Sequence, residues 1–287
     1  MDAKNAVALS GVTKAFQDFA LDSVTLAVPE GTICGLVGEN GAGKTTLIRL
    51  LMGAIQADAG EISLLGRSPG SRGFREAKED VGVVLDDAYF PEVMTAAQVG
   101  KVMRLAYRRW DAQRYADYLR RFELPDKKPF KEYSRGMRMK LAISAALSHD
   151  AKLLVLDEAT AGLDPIVRDE IIEAFRDFAL QDGRSVLISS HIVSDLEKLC
   201  DTIAFLHRGK LLFCEEKDNL LEQYGIFKGT AEQAGSLLRE AVVGREESAY
   251  GGVRALVRRD AAPPTLTLER PTLEDVILFA AKGAKGA

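Results

Sequence analysis

The chain has 287 residues, of which 47% are hydrophobic and 28% are charged, and its formal net charge is −4. This composition is typical of a globular protein of one or two domains, and the acidic balance argues against a generic nucleic-acid binder. No apolar run approaches the roughly 18 residues of a membrane helix, and no hydrophobic secretion signal opens the chain, so we expect a cytosolic protein. Three widely spaced cysteines without a Cys-x-x-Cys pair support neither a disulfide framework nor a zinc site.

Short strands are predicted along the first third of the chain. Apolar segments separated by turn residues predict strands at residues 7–10, 23–28, 32–37, 61–66 and 81–85. The charged and glycine-containing residues 67–79 predict a loop.

A glycine-rich loop follows the third of these strands and precedes a helical pattern. It satisfies the phosphate-binding pattern G-x-x-x-x-G-K-[ST]. Its residues are Gly38, Glu39, Asn40, Gly41, Ala42, Gly43, Lys44, Thr45 and Thr46. Glycines let backbone N–H groups turn inward around phosphates, Lys44 reaches the β- and γ-phosphates, and the Thr45 hydroxyl is placed to ligate Mg²⁺. The loop alone does not distinguish kinases, GTPases and ATPases.

A block of helices is predicted between about residues 88 and 150. Thr95 and Gln98 form a capping box, and Asp111 is suited to cap a second helix that carries aromatic core residues. A third helix is predicted to begin near Ser134. The apolar residues that follow the capping box at helical spacing are Val99, Val102, Leu105 and Ala106.

Alternating strands and helices resume after this block. A helix is predicted over residues 165–180, with Asp164 as its N-cap and Pro165 as its first residue. Ser194 and Glu197 predict a capping box for the next helix. The remaining strands are predicted at residues 153–156, 185–190, 202–206 and 210–214.

The end of the chain predicts a small α+β accessory domain over residues 216–287. Its helices are predicted to begin near Thr230 and Thr272, and its strands lie near residues 253–258 and 265–268.

Two acids, Asp157 and Glu158, follow an apolar strand directly. In a parallel sheet the carboxyl ends of strands meet at one edge, where the phosphate loop also lies. Asp157 is therefore predicted to hold Mg²⁺ through water, and Glu158 to orient or deprotonate the water that attacks the γ-phosphorus.

Five motifs occur in an order and spacing that resemble the nucleotide-binding subunits of ABC transporters. They are residues 38–46, 134–137, 153–158, 161–164 and His191. The resemblance covers about residues 7–215. It implies an α/β fold over residues 1–215, a P-loop NTPase core with an antiparallel β subdomain and an inserted helical subdomain. It also implies ATP and Mg²⁺ as cofactors and a head-to-tail dimer with a second ATPase subunit.

The resemblance also implies roles for single residues. Phe16 resembles the aromatic residue that stacks on adenine, although Phe19 competes for the role and a core position would look the same. Ser134 and Gly136 would contact the γ-phosphate that the opposite subunit holds. Asp164 would bridge the dimer interface as well as cap its helix.

His191 is implied to touch the γ-phosphate and hold the attacking water. The other two histidines, His149 and His207, lack this setting and are expected to be structural or exposed.

Two positions depart from the family pattern. The signature here reads Tyr-Ser-Arg-Gly-Met. A basic residue at the position of Arg135 resembles the signature of one branch of exporter subunits. Asp86 stands where the family has a glutamine that senses Mg²⁺ and the membrane partner. Because a carboxylate is a hard oxygen ligand, Asp86 remains a candidate for Mg²⁺ contact.

Residues 271–278 resemble the closing helix of ATPase subunits that serve exporters of the ABC-2 class, to which bacitracin-type multidrug systems belong; a plain docking helix is the alternative. The function implied is an ATP-hydrolysing subunit that powers a separate transmembrane permease from the inner face of the membrane. The alternatives are a translation- or DNA-linked ABC ATPase, and, less well supported, a GTPase or small-molecule kinase. Translation- or DNA-linked ABC ATPases usually have a second cassette, a coiled coil or zinc cysteines. A GTPase usually has an Asn-Lys-x-Asp motif, which this sequence lacks.

Overall fold

In this computed structural model the described residues are 4–86, 90–235, 237–238, 240–247, 252–263 and 266–285. The strands are β1 (Asn5–Ala15), β2 (Ala20–Pro29), β3 (Ile33–Val37), β4 (Ala59–Leu64), β5 (Val81–Val84), β6 (Leu153–Asp157), β7 (Ser185–Ser190), β8 (Thr202–His207), β9 (Lys210–Glu216), β10 (Tyr224–Thr230), β11 (Val242–Glu247) and β12 (Gly252–Arg258). The helices are α1 (Lys44–Leu51), α2 (Phe74–Lys78), α3 (Ala96–Ala106), α4 (Ala112–Arg121), α5 (Arg135–Ala146), α6 (Pro165–Ala179), α7 (Val193–Leu199), α8 (Lys217–Gln223), α9 (Ala231–Gly235) and α10 (Leu273–Lys285). None of the described helices combines the length and the apolar character of a membrane-spanning segment.

The central sheet has the strand order β5-β6-β7-β3-β8-β9. Its first five strands are parallel, and only β9 runs antiparallel to its neighbour. Every residue of β3, β6 and β7 is buried, as expected for parallel strands covered on both faces. The carboxyl ends of these three strands therefore meet at one edge, where the phosphate loop, Glu158 and His191 follow.

A second, antiparallel sheet has the order β2-β1-β4 and packs with α1 against one face of the central sheet. Its strands confirm the sequence prediction. Residues 67–79, however, are not all loop, because they contain α2. Phe74 and Ala77 of this helix are buried, but five residues are too few to show a helical period in the sequence.

The inserted helices α3, α4 and α5 begin where the sequence predicts. Thr95 and Gln98 form both bonds of the capping box, and Asp111 accepts from the backbone N–H of Arg114. Of the predicted apolar stripe of α3, Val99 is buried, but Val102, Leu105 and Ala106 are exposed, Leu105 by 89%. The buried positions are Ala96, Val99 and Gly100, which lie on the face of the helix opposite Leu105. Residues 88 and 89 lie outside the described residues.

Helix α6 begins as predicted, with Asp164 as N-cap, but α7 does not. It starts at Val193, so Ser194 lies within its first turn and the capping box with Glu197 is not formed. The chain instead leaves β7 through a turn in which the backbone N–H of Ile192 donates to the Ser190 hydroxyl at 2.9 Å.

The C-terminal region contains the antiparallel sheet β10-β12-β11 and the helices α8, α9 and α10. The sequence predicts α9, α10 and β12 but misses α8, β10 and β11. The prediction of a strand at residues 265–268 is wrong, because the described residues 266–268 form no strand; Thr265 lies outside the described residues. Leu273, Val276 and Phe279 of α10 join the core beneath the central sheet. The domain boundary at residue 215 stays a prediction. The hydrophobic core that contains these α10 residues includes residues on both sides of that boundary.

Candidate functional site

The loop between β3 and α1 has the conformation that its glycines allow. Gly41 and Gly43 adopt positive φ angles of 81° and 110°, which side chains rarely tolerate. A Cβ atom at Gly38 would clash with the carbonyl oxygen of Leu206 on β8. The three glycines therefore let the backbone turn tightly from the buried strand into the helix.

Lys44, the first residue of α1, points back into this loop and is only 5% exposed. Its Nζ donates to the carbonyl oxygens of Gly38 at 2.7 Å and Glu39 at 3.2 Å. The same ammonium lies 3.1 Å from Oε1 of Glu158. Lys44 thus joins the phosphate loop to the acid at the end of β6.

Asp157 and Glu158 are held by Ser189, the neighbouring residue on β7. The Ser189 hydroxyl donates to Oδ1 of Asp157 at 2.6 Å, and the backbone N–H of Glu158 donates to the Ser189 carbonyl at 3.1 Å. Both acids are buried, and Glu158 has a φ of +51°, an uncommon conformation outside glycine. Such strain persists where surrounding contacts fix the backbone, and it is frequent at functional sites.

His191 completes the cluster. Its Nδ1 lies 2.7 Å from Oε2 of Glu158, and its backbone N–H also points to this oxygen at 3.4 Å. Because an ionised carboxylate only accepts hydrogen bonds, the Nδ1 position carries the proton. The Glu158 carboxylate consequently lies between the Lys44 ammonium and the His191 ring.

The oxygen atoms near the loop suit Mg²⁺. This ion usually takes one or two protein oxygens together with waters and phosphates. The Thr45 hydroxyl follows Lys44 in the first turn of α1, and the Asp157 carboxylate lies at the same edge of the sheet. Within the described ranges no group of three or more acids, histidines or cysteines forms a metal site by itself. The carboxylate of the third predicted ligand, Asp86, lies 3.3 Å from Nη2 of Arg135.

Ser134, Gly136 and Asp164 lie at two helix N-termini that pack together. Ser134 caps α5 by accepting from the Met137 N–H at 3.3 Å, and Asp164 caps α6 by accepting from the Val167 N–H at 3.1 Å. A Cβ atom at Gly136 would lie 3.4 Å from the Val167 side chain. Within the described chain, no hydrogen bond or ion pair joins Ser134 or Asp164 to residues 38–46.

Phe16 and Phe19 differ in exposure. The Phe16 side chain is 49% exposed, whereas Phe19 packs against the phosphate loop, where a Cβ atom at Gly43 would lie 2.7 Å from its ring. The greater exposure of Phe16 favours it for stacking, which remains a prediction. His149 and His207 are both buried, which agrees with a structural role and not with exposed positions.

Sequence reasoning missed Ser189. Its position is signalled only by two consecutive serines at the end of a buried strand, and its contact with Asp157 depends on the pairing of β6 with β7.

Comparisons with known proteins identify the family. The ABC transporter family matches residues 21–161. The Nod factor export ATP-binding protein I of Rhizobium sp. (strain N33) is 33% identical over 96% of each chain. The daunorubicin resistance ATP-binding protein DrrA3 of Streptomyces coeruleorubidus is 32% identical, again over 96% of each chain. This chain belongs to the ABC transporter family.

Solved structures of ABC transporter ATPases agree with this assignment. One, an ATP-binding subunit of an ABC transporter, superimposes with a TM-score of 0.70 at 25% identity, over 76% of this chain and 92% of its own. A dimeric ATP-binding cassette bound to ADP and phosphate has a TM-score of 0.65 at 21% identity, over 73% and 98% of the two chains, and supports the fold alone. The chain is therefore an ATP-binding ATPase of the ABC transporter family, with the predicted α/β fold confirmed.

Proposed function

We propose that this chain is the ATP-hydrolysing subunit of an ABC-2-type exporter. It powers a separate transmembrane permease through ATP-driven closure of a head-to-tail dimer, on the cytoplasmic face of the membrane. The contact cluster of Lys44, Glu158 and His191 at the phosphate loop carries the proposal for ATP hydrolysis. The Nod factor export relative supports export as the direction of transport, and a lantibiotic transport ATP-binding protein SrtF of Streptococcus pyogenes, 34% identical over 69% of this chain and 85% of its own, supports a role in transport.

The residues divide the chemistry between them. The loop backbone and Lys44 bind the β- and γ-phosphates, while Thr45 and Asp157 would hold Mg²⁺, which would neutralise charge on those phosphates. The Lys44 ammonium, now 3.1 Å from Glu158, transfers to the phosphates when ATP enters. Glu158 is then free to accept hydrogen bonds from the attacking water, with its other oxygen oriented by His191.

Shared contacts close the dimer. Ser134 and Gly136 of one chain contact the γ-phosphate on the second chain, through a hydroxyl and backbone N–H groups at the N-terminus of α5. Asp164, exposed at the start of α6, lies at the interface beside them.

The exposed apolar residues of the inserted helices support a protein partner. Val102 and Leu105 lie three residues apart on the outer face of α3, and Val93 just before this helix is 76% exposed. We assign this surface to the permease.

Purification from native membranes tests the proposal. A polytopic permease is expected to copurify with the wild-type chain, and the complex is expected to hydrolyse ATP. Lys44→Ala should abolish ATP binding measured by calorimetry, whereas Lys198→Ala, at an exposed ion pair on α7, serves as the matched control and should not. Copurification with ribosomes or DNA instead of a permease would favour the non-transport ABC ATPases.

A further inference from the structure

Arg135 at the start of α5 contacts Asp86 in the segment after β5. Arg135 is the first residue of α5, and Asp86 lies just beyond the end of β5. The Nη2 atom of Arg135 donates to Oδ1 of Asp86 at 3.3 Å. The helical insertion is thereby joined to an edge strand of the central sheet, at the residue that follows Ser134.

The same guanidinium covers a third segment of the chain. Gly162 has a φ of +66°, and a Cβ atom there would lie 2.9 Å from Nη1 of Arg135 and 3.0 Å from its Cζ. Gly162 lies between Glu158 and the N-cap Asp164. Arg135 therefore contacts, with one flat group, both the loop after β5 and the loop that leads from the catalytic acid into α6.

The local charges explain why Arg135 needs a carboxylate here. A helix N-terminus carries partial positive charge, so a cation in the first turn is unfavourable. Neither α5 nor α6 has an acidic residue in its first turn, and the two N-termini pack closely where Gly136 meets Val167. Asp164 places a carboxylate at the start of α6, whereas the cap of α5, Ser134, is neutral, and Asp86 supplies the negative charge beside Arg135.

Stability alone does not account for the pair. The two side chains are 58% and 51% exposed, and ion pairs of this kind contribute little to the free energy of folding. The contact instead joins the start of α5 to the residues that follow β5.

We infer that Arg135 is a positioning residue and that its ion pair with Asp86 fixes the N-terminus of α5 over the Gly162 loop. The inference rests on the proposed function. The pair holds Ser134, Gly136 and Asp164 as one surface, and this surface meets the nucleotide of the second chain. Because Arg135 is directed to its own chain, it adds no charge to the partner's γ-phosphate. Asp86 accordingly acts on hydrolysis through Arg135, not as a ligand of Mg²⁺.

Charge reversal tests the link. Asp86→Arg and Arg135→Asp should each lower the ATPase rate at least about 5-fold, while ATP affinity of the single chain stays unchanged. The double variant Asp86→Arg/Arg135→Asp restores an opposite-charge pair and should recover most of the rate. Arg120→Gln, which removes an exposed arginine paired with Asp117 within α4, is the matched control and should keep the wild-type rate. Additive losses in the double variant would overturn the inference.

Two further measurements separate this inference from its alternatives. If Asp86→Asn raises the Mg²⁺ concentration needed for half-maximal activity, Asp86 is a metal ligand and the inference is wrong. Hydrogen exchange does not depend on catalysis, and backbone amides of residues 138–140 should exchange at least about 3-fold faster in Asp86→Asn than in the wild type. Unchanged exchange would also overturn it. If the wild-type chain has no ATPase activity but residues 138–140 still exchange faster in Asp86→Asn, the proposed function is refuted and the role of the ion pair in positioning α5 is still supported.

Discussion

The Lys44 ammonium lies 3.1 Å from Oε1 of Glu158 but makes its hydrogen bonds to the carbonyl oxygens of Gly38 and Glu39. The acid is thus held to the phosphate loop by charge and to His191 by a hydrogen bond at 2.7 Å. Because the contact with Lys44 lacks hydrogen-bond geometry, the ammonium can exchange the carboxylate for phosphate oxygens without losing a directed bond. The two residues proposed to bind and to hydrolyse ATP are therefore coupled before nucleotide arrives.

Glu158→Gln should separate ATP binding from hydrolysis. The amide keeps the shape of the side chain but cannot act as a base, so turnover should fall about 10²- to 10⁴-fold while ATP remains bound. Steady-state phosphate release and nucleotide-binding calorimetry measure the two effects. Glu173→Gln, on the exposed face of α6, is the control. Near-normal hydrolysis by Glu158→Gln would refute the role given to Glu158.

Two inactive variants should complement each other if the ATP site is shared. Ser134→Asp keeps a good N-cap for α5 but places a negative charge against the partner's γ-phosphate, and Lys44→Ala removes the phosphate ligand. In an equal mixture half of the dimers contain one intact site, so about a quarter of the wild-type ATPase rate should return. If no mixing ratio restores activity, Ser134 does not act across an active dimer.

Ser189→Ala should destabilise the fold. It removes the hydroxyl that donates to the buried Asp157 carboxylate at 2.6 Å, and loss of a hydrogen bond to a charged group costs about 1.5–3 kcal/mol. Urea denaturation measures the free energy of unfolding. The matched control is Ser144→Ala, since that buried hydroxyl donates only to the Lys140 carbonyl of its own helix. Equal losses of unfolding free energy in the two variants would contradict the stabilisation assigned to the hydrogen bond with Asp157.

Asp150 should contribute stability that depends on pH. The hydrogen bond from the Arg184 guanidinium lowers the pKa of this carboxyl below its ordinary value of 3.8. The contribution is fully present above pH 3.8 and is lost as the pH falls through the folded-state pKa. Asp150→Asn, which tolerates the local φ of +58°, should therefore be less stable than the wild type at neutral pH, by less than about 1 kcal/mol because the pair is half-exposed. The difference should shrink when unfolding is measured below pH 3.8, and a constant difference would contradict it.

The sequence predicts those features that depend on neighbours along the chain. The capping box of Thr95, the N-caps Asp111 and Asp164, and the strand, loop and helix around Lys44 all follow from short-range bonds, and all are present in the structure. Ser194 shows the limit of this reasoning. Its spacing to Glu197 is right, but the Ser190 hydroxyl sets the start of α7 instead.

Features that depend on tertiary packing could not be predicted. Helix α2 is only five residues long and buries Phe74 against distant segments, while β10 and β11 depend on their pairing with β12. The contact of Ser189 with Asp157 requires strand pairing, and that of Arg135 with Asp86 requires the start of α5 to meet the segment after β5. In both cases the residues lie more than thirty positions apart, and no local pattern connects them.

Helix α10 ties the end of the chain to the ATPase. A Cβ atom at Gly244 would clash with the Phe279 carbonyl, and one at Gly283 with the Val243 carbonyl, so α10 and β11 touch through their backbones. The same helix places Leu273 and Val276 in the core shared with α7. A chain shortened to residue 215 would expose to water the apolar side chains that now pack against α10, and we expect it to aggregate. Lesions in the last turns of the molecule should then reduce its abundance in the cell, although they lie outside every nucleotide motif.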